Sequence, residues 1–463
     1  MRMEEKDQSY HLKQGRILRG IINSIKRRPE DAAQELNISV DRLNAIIAGQ
    51  EPLSEDLVRK ATKVWSINQA VFYPLHDDCP QGVKIMRAES SFQSKRIMQR
   101  AGKDYYEYRD TVMSTVGLFY PEWIKELCIV DDNDPHNPNV QWNNGHFPHQ
   151  FTYFIGPVNF YYQGSDGEKK VAVMNTGDSM YITPFIPHTF TTRKNEQGEM
   201  GLILALTYGN KIDGSAKEEL SAIGLESAKH FALDFSSREK AAGSILKYYR
   251  EAASIGLKEL SKRTAIPLEM LEQYEQGKII TLGNNLQKIA SALTVDTRDL
   301  LPPDLIHDKV ILGKYDQSPR WDFPDTDSAY TMVELAGMKH LPHSKALEVS
   351  VYKKEKGNLD LKFGLHQYGY NIGETAVKIH WKINFKDYEE VVQPGDSFYI
   401  KPFMVHSFRI DNSAGNGKLL ILRIGGRVVG DAQRELSLIG KQHTERAISE
   451  TTAWYDPKGK NKI

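Results

Sequence analysis

The amino-acid sequence predicts a mixed α and β fold: a tandem repeat of a helix-turn-helix-like α domain followed by a jelly-roll β-barrel. Three observations carry this prediction. The chain contains a dense internal repeat, each copy opens on short segments of helical period, and the rest of each copy alternates apolar and polar residues between Gly and Pro turns.

The repeat comes first, because a missed repeat misassigns the whole fold. Residues 177–190 read GDSMYITPFIPHTF and residues 395–408 read GDSFYIKPFMVHSF, an offset of 218. Upstream, His149, Gln150, Phe151, Tyr153, Ile155 and Gly156 match His366, Gln367, Tyr368, Tyr370, Ile372 and Gly373 at an offset of 217. A single-residue gap therefore separates the two blocks.

The helical segments repeat as well. Ile38, Leu43 and Gly49 recur as Ile266, Leu271 and Gly277, offset by 228, with the turns carrying Ser39 and Pro267. A further amphipathic helix follows each: Leu57, Ala61, Val64 and Trp65 in one copy, Leu286, Ile289, Ala290 and Leu293 in the other. Short helices joined by tight turns, with Gly after the third, resemble the helix-turn-helix domains of bacterial repressors. Their charge argues against DNA reading. The segment from Pro267 to Gln276 carries Glu269, Glu272 and Glu275 and no Lys or Arg, and the segment from Ser39 to Ala48 pairs Asp41 with a single Arg42. One basic cluster, Lys26, Arg27 and Arg28 before Pro29, reads on its own as a solvated helix end. The other reading is a cation delivered to an anionic ligand.

The remaining stretches read as β. Residues 150–210 alternate, with turns at Gly156-Pro157, Gly164–Gly167, Thr176–Asp178 and Asn195–Gly198, and residues 346–426 behave in the same way. The expected domains are 1–75 (α), 76–235 (a catalytic barrel with a metal site), 236–305 (α) and 306–463 (a degenerate barrel without metal). Four domains suit a chain of 463 residues, which is too long for one hydrophobic core.

Composition bounds the function. Lys plus Arg and Asp plus Glu number 60 each, so no basic excess points to nucleic acid. Cys79 and Cys128, the only two cysteines, cannot build a disulfide framework, and a reducing cytoplasmic setting is expected. The start MRMEEKDQSY is too polar for a secretory signal, and no apolar run approaches the roughly 20 residues of a membrane span.

The chemistry concentrates at residues 143–150, NNGHFPHQ. In cupin barrels a His, a carboxylate four positions later and a distant His converge on one metal. His146, Gln150 and His188 resemble that set, with Gln in place of the acid. Two imidazoles and one oxygen on one face leave positions open for substrate and O2, the arrangement suited to non-haem Fe(II). The alternative is a dead site in which His146 is a hydrogen-bonded core residue. His149 competes as a ligand, but it recurs as His366 in the copy that lacks the first His, so it reads as structural. That second copy keeps Gln367 and His406 and has Phe363 at the position of His146, which leaves a scaffold without iron.

Together these residues resemble the cupin-type phosphonate oxygenases, a family of non-haem iron enzymes joining a helix-turn-helix to a cupin. The resemblance covers nearly the whole chain. It implies that Arg100, Tyr106, Tyr108 and Asn143 bind the phosphonate, and that Lys26 reaches the site from a helical domain. The resemblance further implies that Lys26, Tyr108 and Asn143 take part directly in catalysis. A dianionic phosphonate calls for this kind of set: Arg for charge and forked donors, the others for the remaining oxygens. The dioxygenase branch places a ligand Glu where this chain has Ile182. Gln150 is the pattern of the methylphosphonate-forming branch. The resemblance implies Fe(II)- and O2-dependent cleavage of 2-hydroxyethylphosphonate to methylphosphonate and bicarbonate or CO2. No 2-oxoglutarate is needed, because the substrate supplies all four electrons. A dioxygenase outcome, hydroxymethylphosphonate and formate, is the neighbouring possibility. A non-enzymatic regulator binding a small anion is a third. A homo-oligomer is expected, and because Lys26 lies in a separate domain it serves either its own barrel or, by a swapped arrangement, a neighbour's.

Overall fold

Each helical segment folds where the sequence places its caps. The computed structural model describes residues 3–117, 119–209, 212, 214–279, 283–352, 361–410 and 415–455, so the last part of the 306–463 domain and parts of the 346–426 strand region lie outside the described residues. After the first helix, Met3–Ser24, come Pro29–Leu36 with Pro at its start, Val40–Ile47 capped by the Ser39 hydroxyl, and Glu55–Trp65 capped by Ser54. Their apolar faces meet in one core of Leu18, Ile22, Leu36, Leu43, Ile46 and Val58. The second set, Arg238–Ala252, Leu257–Thr264, Leu268–Glu275 and Asn285–Leu293, closes on its own core around Leu246, Leu260, Leu271 and Ile289.

A glycine permits the tightest contact in each set. A Cβ on Gly15 would lie 2.4 Å from the Ile46 carbonyl oxygen, and one on Gly243 would lie 2.4 Å from that of Tyr274. Both pairs obey the offset of 228 seen in the sequence. Among the described residues no helix is long and apolar enough to cross a membrane.

The described strands form two large and two small sheets. The first large sheet runs, in spatial order, Val310–Gly313, Ser179–Ile182, His149–Ile155, Leu202–Tyr208, Phe119–Glu126, Lys103–Asp110 and Arg96–Arg100. The second runs Val83–Met86, Ser397–Ile400, His366–Asn371, Gly417–Ile424, Ser344–Val351, Tyr330–Glu334 and Arg320–Phe323. Position for position, the two sheets have the same connectivity. The small sheets, Ile129–Val130, His188–Arg193, Val158–Gln163 and Lys169–Met174 in one half and Val405–Ile410, Val377–Ile383 and Lys386–Val392 in the other, also correspond.

The edge strands are exchanged. Val83–Met86 precedes the first half in sequence yet pairs with Ser397–Ile400, and Val310–Gly313 precedes the second half yet pairs with Ser179–Ile182. Boundaries at 76 and 306 therefore do not sort the strands by sheet. The repeat pattern held no sign of this exchange.

Alternation along His149–Ile155 decides what faces where. Phe151 and Tyr153 point to the interface between the halves, where they pack with Leu204 and Leu206 against Tyr368, Tyr370, Leu420 and Leu422. Phe154 points the other way, into the interior of the first half with Phe160, Ile182 and Ile203. Gln150 and Thr152 share that inward face. Each fully buried Leu, Ile or Phe contributes roughly 1.5–3 kcal/mol, so both layers hold the inward polar residues in place.

Candidate metal centre

Three segments of the first half bring three side chains together. Gln150 comes from the strand His149–Ile155 and His188 opens the strand His188–Arg193. His146 comes from the loop before them. Asn143 fastens that loop: its Oδ1 accepts from the backbone N–H of Gly145 (2.9 Å) and of His188 (2.8 Å), and its own N–H donates to the His188 carbonyl. Gly145 has φ +71°, and a Cβ there would lie 2.6 Å from the Phe185 carbonyl carbon, so the turn requires glycine.

The two imidazoles are oriented alike. His146 Nδ1 lies 2.8 Å from the Pro148 carbonyl oxygen and His188 Nδ1 2.7 Å from that of Ile186; with the proton on Nδ1 in each ring, both Nε2 atoms are acceptors, and His188 Nε2 accepts from Asn143 Nδ2 at 3.2 Å. The ring centroids are 5.1 Å apart at an interplanar angle of 88°. Burial pushes His188 down to a pKa of about 3, so the ring stays neutral. Gln150 Nε2 donates to Thr152 Oγ1 (2.8 Å), which turns its Oε1 toward His146 Nε2 at 2.9 Å.

That 2.9 Å approach sets one acceptor lone pair against another. A divalent cation between two imidazole nitrogens and an amide oxygen relieves it, and this mixed donor set suits a borderline metal such as Fe(II). Among the described residues no group of three His, Cys, Asp or Glu side chains could hold a metal. The third donor here is an amide.

His149 is placed elsewhere. It lies on the opposite face of the strand, with Nδ1 bonded to the Tyr181 hydroxyl and its ring stacked on Tyr208. His366 repeats the arrangement with Tyr399.

The structure brings Arg100 beside this cluster. Its Nη1 donates to the Gln141 carbonyl (2.6 Å), two residues before Asn143, and to Thr189 Oγ1 (3.0 Å), one after His188, and its guanidinium lies over the Tyr105 and Tyr106 rings. Tyr108 is half-buried, pairs across strands with Ile124, and its hydroxyl has no hydrogen-bond partner among the described residues. Tyr106 is fixed differently. Its hydroxyl bonds Thr189 Oγ1 (2.8 Å) and accepts from the Phe190 N–H (3.0 Å), so it is engaged within the protein. Lys26 is not brought to the cluster within one chain. It ends the first helix with φ 59°, its Nζ lies near the carbonyls of Asn23 and Ser24, and it sits 4.5 Å from the Trp454 ring centre.

Sequence reasoning missed two inward acids. Glu126 is fully buried and neither carboxylate oxygen has a partner; burial pushes its carboxyl far above the usual range, and Arg100 offsets this in part. Glu122 is also raised by burial, opposed by Arg96 and His146. The second half has apolar Leu347 and Val351 at the corresponding register positions. Comparing interior positions across the repeat was the signal that could have found both acids.

These features define a candidate mononuclear metal centre, two imidazoles and an amide oxygen beside a guanidinium, inside one half of a duplicated fold. No family model matches the chain. The chain is 52% identical over 460 residues, 99% of each chain, to the methylphosphonate synthase of Nitrosopumilus maritimus strain SCM1. Its fold matches that of a Streptomyces albus HEPD, solved with 2-hydroxyethylphosphonate and Fe(II) bound, at a TM-score of 0.89 and 34% identity, covering 97% of this chain and 100% of that one. It also matches PhpD solved with cadmium at a TM-score of 0.72 and 19% identity, covering 94% and 99%, a likeness of fold alone. The chain belongs to the methylphosphonate synthase family.

Proposed function

We propose that this chain cleaves the C–C bond of 2-hydroxyethylphosphonate with O2, giving methylphosphonate and bicarbonate or CO2, at an iron held by His146, Gln150 and His188. The observation that carries the reading is the pair of Gln150 and Ile182. They sit directly opposite each other in register, and only Gln150 offers a donor, 2.9 Å from His146 Nε2. Identity to a methylphosphonate synthase along almost the whole chain supports it.

The reaction closes without a co-substrate: one 2-hydroxyethylphosphonate dianion and one O2 contain the atoms of one methylphosphonate dianion, one bicarbonate and one released proton. Fe(II), when bound, supplies adjacent positions at which the substrate oxygens and O2 meet. A neutral amide ligand leaves more positive charge at the metal than a carboxylate would, which favours a dianionic substrate. Arg100 supplies the guanidinium for the phosphonate. Asn143, held by two backbone N–H groups, presents its Nδ2 3.2 Å from His188 Nε2 and donates to a phosphonate oxygen. Tyr108 offers an unengaged hydroxyl. Tyr106 acts one step behind, by holding Thr189, which in turn holds Arg100. The inward apolar layer excludes water from reactive intermediates.

The finer architecture fits this reading. Each large sheet with its small partner forms a cupin barrel, each helical set is helix-turn-helix-like, and the domains run 1–75, 76–235, 236–305 and 306–463 with the edge strands exchanged. The helical domains act as packing elements rather than DNA readers: Leu268–Glu275 carries three Glu and no basic residue. Lys26 is exposed and remote from its own cluster, so it serves a neighbour in a cytoplasmic homo-oligomer. The test is anaerobic loading with Fe(II), addition of 2-hydroxyethylphosphonate and O2, and 31P NMR. Methylphosphonate supports the proposal. Hydroxymethylphosphonate would assign the chain to the dioxygenase reaction, and unchanged substrate would leave the anion-binding regulator.

A further inference from the structure

The second half keeps two of the three metal-site positions, and something other than a metal stands among them. Gln367 and His406 correspond to Gln150 and His188, and Phe363 to His146. The Phe363 and His406 rings are 5.5 Å apart at 83°, close to the 5.1 Å and 88° of His146 and His188. In the first half the strand neighbour of Gln150 is Thr207, a short side chain whose hydroxyl turns back to the Tyr120 carbonyl. In the second half the neighbour of Gln367 is Arg423.

Arg423 touches two of the three positions and acts on the third through its charge. Its Nε donates to Gln367 Oε1 at 3.1 Å, the amide oxygen equivalent to the donor of the first half. Its guanidinium carbon lies 3.8 Å from the centre of the Phe363 ring. Its charge also helps to hold His406 neutral. The amide of Gln367 is turned accordingly. Thr152 has no hydroxyl counterpart, because its position is Gly369, covered by the Phe398 ring. Gln367 Nε2 donates instead to His406 Nε2 (3.3 Å), whose Nδ1 donates to the Met404 carbonyl (2.8 Å).

We infer that Arg423 is the resident cation of the second site: its guanidinium occupies the place that the metal takes in the first. The substitutions are complementary. A guanidinium cannot bind an imidazole lone pair as a metal does, but it stacks on an aromatic face, and Phe363 supplies one. It donates to the amide oxygen where a metal would accept from it. The second half is thus closed to metal by an occupant as well as by the loss of a ligand. Restoring the ligand alone does not reopen it.

This rests on the reading of His146, Gln150 and His188 as a metal site, and the test separates the two. Four proteins are compared by anaerobic equilibrium dialysis with Co(II), counting metal per chain and recording the visible d–d bands: wild type, Phe363→His, Arg423→Thr, and Phe363→His with Arg423→Thr. Phe363→His is expected to match the wild type at about one ion per chain, and the double variant to take up about one more. Uptake of an extra ion by Phe363→His alone overturns the inference, as does a folded double variant with none. A wild type without metal would sink the first-site reading, while the increment between double and single variant still decides this one. Should the double variant not fold, thermal midpoints of Arg423→Lys and Arg423→Met decide it. Lys, which keeps a cation beside Gln367 and Phe363, is expected to melt several degrees above Met. Equal midpoints, or a more stable Met variant, overturn the inference.

Discussion

His146 Nε2 and Gln150 Oε1 face each other at 2.9 Å, while on their far sides His146 Nδ1 meets the Pro148 carbonyl and Gln150 Nε2 donates to Thr152 Oγ1. Such a contact is unfavourable without a proton or cation between the two atoms. His188 completes the set, with its protonated nitrogen also turned to a carbonyl.

Replacing His188 by Ala removes one of three donors and is expected to abolish iron binding. Metal counting after anaerobic loading checks this. Full iron occupancy in the variant would contradict the ligand assignment.

In its own chain Lys26 meets no acid: its Nζ has two long contacts to carbonyls and the face of Trp454. Lys26→Ala is therefore expected to keep full metal content while weakening 2-hydroxyethylphosphonate binding about ten-fold or more, the loss typical of a charge-assisted contact. Isothermal titration of the anaerobic metal-loaded protein measures it. Unchanged affinity would reduce the Lys26 cluster to a helix end.

Tyr106 and Tyr108 should behave differently although they sit two residues apart on one strand. Tyr106→Phe loses bonds to Thr189 and Phe190 and is expected to cost roughly 1–2 kcal/mol of stability, with little change in substrate affinity. Tyr108→Phe is expected to do the reverse. Urea unfolding and substrate titration on both variants separate the roles, and a Tyr106→Phe variant that is fully stable but binds substrate poorly would put its hydroxyl in the pocket.

Acid should destabilise the fold through its buried histidines. Burial holds His366 and His406 at a pKa of about 4, below the ordinary 6.5. The unfolded chain thus binds more protons than the folded one between about pH 6.5 and 4. Stability is fully present above 6.5 and falls as pH drops through that window, by up to about 3 kcal/mol per group. The thermal midpoint is expected to decline from pH 7 to pH 4.5, less steeply in His366→Gln. A midpoint that is flat with pH would contradict the account.

Much of this was legible in the sequence because duplication prints the same constraints twice. The matched GDS blocks located equivalent strands, and the turns at Gly156-Pro157 and Gly164–Gly167 separate strands as expected. His149 could be set aside because His366 persists where the first ligand is lost. The exchange of Val83–Met86 and Val310–Gly313 was not legible, since a four-residue strand has no periodicity that names its partner. Nor was the engagement of the Tyr106 hydroxyl, which depends on Thr189 from a strand far along the chain. Glu126 and Arg423 were hidden for another reason: each shares its strand with outward-facing charges, and only register shows that it points inward.

The central claim is that one iron sits in the first half on His146, Gln150 and His188. A crystal structure of the anaerobic complex with Fe(II) and 2-hydroxyethylphosphonate, with anomalous scattering at the iron edge, tests it most directly. The account predicts a single peak, bonded to His146 Nε2, Gln150 Oε1 and His188 Nε2 at about 2.0–2.3 Å, with the phosphonate against Arg100 and Asn143. A peak on His149, or one between Gln367 and His406, would contradict it.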